Sequence, residues 1–150
     1  MIRLVSLTRR EVSRFMKIPR QTLGAPLLET FLYISIFGAA LGSRVGDLDG
    51  VSYVVFVIPG LIIMAFAINA FSNNSSSILQ QKFQRAIDDQ LSSPASPGQL
   101  LLAFTLGGFQ RGLLISVVTF IVASLLVDLP VEHLYILFPA LFLVGWFFAQ

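Results

Sequence analysis

Cysteine is absent from this 150-residue chain, and histidine occurs once. No disulfide, thiolate nucleophile or cysteine-bound metal is therefore available. A single His133 cannot hold a metal alone, so no metal site is expected. Charge is scarce too: 12% of residues are charged, against about twice that share in a soluble domain. No paired carboxylates, H-E-x-x-H or Ser/His/Asp set stands out, so no catalytic residues are expected. A Walker loop, G-x-x-x-x-G-K-[ST], is missing. The nearest string, Gly107-Gly108-Phe109-Gln110-Arg111-Gly112, lacks the lysine. The chain is thus read as neither an enzyme nor a cofactor binder, and no nucleic-acid partner is expected.

What the chain has is apolar length. Hydrophobic residues make up 55% of it, mostly in four runs, roughly Leu23–Leu41, Val51–Ala70, Leu100–Val127 and Leu134–Ala149. About 20 helical residues cross a hydrocarbon core of about 30 Å. Backbone groups in lipid must be satisfied within the segment, and the runs do not alternate as barrel strands do. The predicted fold is all-α: a transmembrane bundle of about four spans. A cleaved signal peptide is a poorer account of the first run, which is longer than a signal core and contains Glu29.

The cations are unevenly placed. Arg3, Arg9, Arg10, Arg14, Lys17 and Arg20 precede the first run, and Lys82 and Arg85 lie between the second and third. Only Arg44 lies between the first and second, and none between the last two. The positive-inside rule then places the N-terminus and the 78–99 loop in the cytoplasm of a multi-pass plasma (inner) membrane protein. The connectors 42–50 and 128–133 face outward.

Several local patterns sharpen this. Thr8-Arg9-Arg10-Glu11 has capping-box form. Val12, Phe15 and Met16 can share one face of a basic amphipathic helix lying in the interface, which Pro19 ends. A plain positive anchor is the simpler alternative. Glu29 in the first span either snorkels to the cytoplasmic surface or lines a transport path. Asn69, Asn73 and Ser76 repeat at helical spacing and suit a helix contact, a wet vestibule or a solvated helix end. Residues 82–91 read as a short amphipathic cytoplasmic helix closed by Ser-Ser-Pro. Gly108, Gly112 and Ser116 in the third span, and Gly38 and Gly42 in the first, form small-residue rows that allow close helix approach. Arg111 is expected to pair with a carboxylate or to reach the cytoplasmic surface.

The order of motifs resembles a known family. Arg14-Phe15-Met16-Lys17, Gln21-Thr22-Leu23 and Pro26 lead into Tyr33 and Phe37-Gly38. Gly42-Ser43-Arg44-Val45-Gly46-Asp47 and Val57-Ile58-Pro59-Gly60-Leu61 follow, then Lys82-Phe83-Gln84-Arg85-Ala86-Ile87-Asp88-Asp89-Gln90-Leu91-Ser92-Ser93-Pro94. This resembles the membrane subunit of type-2 ABC exporters over essentially the whole chain. The resemblance implies a permease that pairs with itself and with two copies of a separate ABC ATPase, which binds the ATP. It also implies export of an amphiphilic, drug-like or glycan substrate by alternating access. On that match 82–91 is the coupling helix. Phe83 and Leu91 would fill the ATPase groove, and Arg85, Asp88 and Asp89 would make polar contacts; Lys82 and Ile87 belong to the same helix. Family members usually have six spans, so residues 1–150 read as a transmembrane domain lacking the last two. A non-transporting remnant and a small channel are the competing readings.

Overall fold

A computed structural model describes residues 2–37, 47, 48, 50–86, 88, 96–127 and 134–150. Five helices dominate these residues: α1 (Ile2–Met16), α2 (Pro19–Ile36), α3 (Tyr53–Phe83), α4 (Pro97–Leu126) and α5 (Leu134–Phe148). The all-α bundle read from the apolar runs is the observed fold. One small addition is an antiparallel pair, β1 (Asp47–Leu48) with β2 (Val51–Ser52), its turn containing Gly50 at φ 82°.

The α1/α2 corner forms where Pro19, lacking an N–H, suits the first turn of a new helix better than the interior of an old one. Thr22 Oγ1 donates to the Phe15 carbonyl at 2.7 Å and pins the corner. The expected capping box at Thr8 is not formed. The helix already starts at Ile2, so Thr8 is interior, and its buried hydroxyl has no hydrogen-bond partner. A true capping box opens α4 instead, where Ser96 and Gln99 each bond the other's backbone amide. The shared face of Val12, Phe15 and Met16 also divides: Phe15 is buried with Glu11, while Met16 is exposed.

The second apolar run does not end its helix at Ala70. Residues 71–83 contain no glycine or proline, so α3 continues without a break through the Asn/Ser/Gln stretch to Phe83. Lys82 and Phe83 are therefore the last turn of the long helix α3 rather than the start of a separate one. Among the described residues two helices, α3 and α4, are long and apolar enough to cross a membrane; α5 is shorter, and α2 carries Arg20 and Glu29.

Packing centres on Phe66 of α3, which has no exposed surface. Its ring meets Phe109 edge-on at 5.3 Å, and Phe109 meets Phe142 at 5.7 Å. Gly112 and Gly145 leave the room it occupies: a Cβ on Gly112 would sit 2.8 Å from the ring, and one on Gly145 would overlap it. On the outside, large apolar side chains such as Leu28, Phe56, Leu125 and Phe147 are exposed on different helices. A surface of this kind is at home in lipid.

Candidate functional site

The polar candidates gather where α1 lies across the C-terminal part of α3 and the N-terminal half of α4. Glu11 of α1 is 2% exposed, and such a carboxylate is tolerated only if its oxygens are occupied. They are. Ser77 Oγ donates to Oε2 at 2.6 Å, and Gln81 Nε2 donates to Oε1 at 3.2 Å. Arg14 Nε reaches Oε2 at 3.3 Å, and Arg10 reaches Oε1 at 3.5 Å. Gln81 Nε2 also lies 2.9 Å from Ser77 Oγ, so the two α3 side chains support each other.

Arg14 completes the clasp. Its Nη2 donates to the Asn73 carbonyl at 2.9 Å and to Asn73 Oδ1 at 3.0 Å. Asn74 donates to the Ala149 carbonyl and so links α3 to the end of α5. The helices come this close because α4 is small here. A Cβ on Gly107 would lie 2.8 Å from Glu11 Cβ, and one on Gly108 would lie 2.6 Å from Asn74 Oδ1.

The residues singled out in the sequence fall into three groups. Asn73 belongs to the clasp. Gly108, Gly112 and Ser116 are buried along α4, the two glycines against α3. Ser76 is exposed, with its hydroxyl donating to the Asn73 carbonyl. In the second group, Glu29 and Asn69 line one small cavity of about 20 Å³ between α2 and α3, room for about a single water. The third group is the tip. Phe83 is 80% exposed, Lys82 and Arg85 are exposed beside it, and Arg85 turns the chain with φ 55°. Left-handed backbone at a non-glycine residue is uncommon and ends α3 sharply. Asp88 is helical and exposed. Ile87, Asp89, Leu91, Gly38 and Gly42 lie outside the described residues.

Arg111, on α4, has no carboxylate partner among the described residues, and its Nε is buried without a hydrogen bond. It lines a cavity of about 710 Å³ together with Arg10, Arg14 and Lys17. Sequence reasoning missed Glu11, Ser77, Gln81 and Gly107 as site residues. A signal was present: Asn69, Asn73, Ser77 and Gln81 follow one another at four-residue steps, a straighter stripe than one through Ser76.

A helical bundle with a lipid-suited surface and a polar, tightly packed amphipathic lead-in is the architecture of a membrane protein. The chain belongs to the ABC-2 type transporter family, which it matches over residues 3–149. That is a family of transport permeases and not of catalytic enzymes. The chain is 38% identical over 131 residues to the inner membrane transport permease YadH of Escherichia coli K12, a match covering 87% of this chain and 51% of YadH. The YadH permeases of Escherichia coli O157:H7 and Shigella flexneri match it to the same extent. The chain thus spans about half the length of the curated relatives it matches. No solved structure matches it.

Proposed function

We propose that this chain is part of the membrane subunit of an ATP-driven exporter of the inner membrane, with α2 and α5 crossing beside α3 and α4. The N-terminus and the 84–96 connector lie in the cytoplasm. The subunit pairs with a second copy of itself and with two ABC ATPase subunits, which bind the ATP. The substrate is an amphiphile, a drug-like molecule or a glycan, and it passes between the two membrane subunits.

The observation that carries this reading is the Phe83 ring. It stands almost fully exposed at the end of α3, with Lys82 and Arg85 beside it and a sharp turn after it. An exposed aromatic at the tip of a long helix suits insertion into a groove of a soluble partner, flanked by polar contacts. Family membership and the excess of cations on α1 and at the end of α3 support the same orientation. The Glu11/Arg14 clasp gives the tip a means of moving the bundle, because α1 and α4 are fastened to the helix that carries Phe83.

The test is co-purification with a Walker-motif ATPase encoded beside this frame. Phe83→Ala should weaken association by about 30-fold, the effect of losing an aromatic anchor worth about 2 kcal/mol. The spans should remain folded. Association equal to that of the unaltered chain would rule out Phe83 as the docking residue.

A further inference from the structure

We infer that the cavity between α1, the start of α2, the C-terminal end of α3 and Arg111 of α4 binds the phosphate headgroup of an anionic lipid. Four cations line it: Arg10, Arg14, Lys17 and Arg111. Glu11 is the one carboxylate among the described residues of its wall, and both of its oxygens are already engaged by Ser77, Gln81, Arg14 and Arg10. The cavity therefore holds a clear excess of positive charge. Arg111 and Lys17 have no carboxylate partner among the described residues, and Arg111 Nε is buried without any hydrogen bond. A partly buried guanidinium with no counter-charge is unfavourable unless an anion joins it. Its fork of donors fits phosphate oxygens in particular.

The rest of the wall points to a lipid. Gln21 and Gln80 offer neutral polar groups beside the cations, while Phe15 and Ile18 make an apolar margin. Ile18 is more than half exposed, at the α1/α2 corner. Polar and apolar walls side by side suit a headgroup whose acyl chains leave along Ile18. The volume, about 710 Å³, is that of a small-molecule site. A basic amphipathic helix such as α1 also lies at headgroup depth when it rests in an interface. The inference does not depend on an ATPase partner or on the direction of transport.

The experiment titrates the purified chain in neutral detergent with dihexanoyl phosphatidylglycerol, with dihexanoyl phosphatidylcholine and with inorganic phosphate. Phosphatidylglycerol should saturate at one per chain and bind at least about tenfold tighter than phosphatidylcholine. Arg111→Gln and Lys17→Gln should each weaken it by about tenfold, as expected for removing a charge-assisted contact. Arg111→Lys should retain most of the binding, and Arg9→Gln, on α1 but off the cavity wall, should change nothing. Competition by phosphate alone would mean that the anion suffices; no competition would mean that the lipid body contributes, and both support the site. Equal binding of the two lipids would overturn it, as would equal effects of Arg111→Gln and Arg9→Gln. Should Arg111→Gln fail to fold, the exposed Lys17 carries the test.

Discussion

Replacing Glu11 by alanine should release α1 from the bundle. The size of the effect follows from its four partners. Ser77 Oγ, buried and 2.6 Å from Oε2, loses a charged acceptor worth about 1.5–3 kcal/mol. Gln81 loses less, since it keeps Ser77. Arg14 keeps both of its bonds to Asn73. The Arg10 contact, at 3.5 Å from a half-exposed guanidinium, is worth about 0–1 kcal/mol. Together the clasp should weaken by about 2–4 kcal/mol, which raises the population of undocked α1 by about 30-fold to several hundredfold. Trypsin reads this directly, because Arg9, Arg10, Arg14 and Lys17 become cleavable once the helix leaves its seat. Where opening is fast relative to cleavage, the rate follows that population. Glu11→Gln keeps an oxygen for Ser77 but turns an amide toward the Gln81 or Arginine donors, so it should fall between, at about tenfold. A cleavage rate in Glu11→Ala within about threefold of the parent would refute the assignment of Glu11 as the residue that seats α1.

Three other outcomes are expected. Gly112→Ala should lower stability by about 1–2 kcal/mol, because overpacking against Phe66 outweighs the gain in helix propensity. Gly60→Ala, where an added Cβ meets nothing, should raise stability by about 0.5–1 kcal/mol; thermal melts of both variants in one detergent check the contrast, and a loss at Gly60 would count against it. Because the chain has no cysteine, Gln84→Cys gives a label site free of background. In intact cells it should resist a membrane-impermeant maleimide and react only after permeabilisation, and labelling from outside would invert the proposed topology.

Helix class was legible because long apolar runs leave few alternatives in lipid, and the Pro19 corner was legible because proline suits a first turn. Helix ends were harder. The polar stretch after Ala70 looks like an exit into water, yet nothing in it breaks a helix, and Asn73, Asn74 and Gln81 are buried within the bundle. Burial of polar side chains depends on a partner far away in sequence, and Glu11 lies 66 positions from Ser77. The same holds for Gly107, whose purpose becomes visible only with Glu11 above it. Thr8 shows the opposite error: a local capping pattern that the longer helix overrode. Ser96-Pro97-Gly98-Gln99 carried an equivalent capping-box signature, S-x-x-Q, and did form the cap. The small-residue row at Gly108, Gly112 and Ser116 was readable because close packing needs few atoms whatever the partner.

The unbroken length of α3 has a mechanical consequence. Its 31 residues make a rod of about 46 Å, some 16 Å more than a hydrocarbon core is thick. A swing of about 10° about one end carries the other through about 8 Å. Pro59 interrupts the hydrogen-bond ladder only in the second turn, far from Phe83. The stiff portion is therefore the part that carries the aromatic tip, the Glu11 partners and Phe66. A push on that ring would reach the packed glycines of α4 as displacement, with little of it lost to bending.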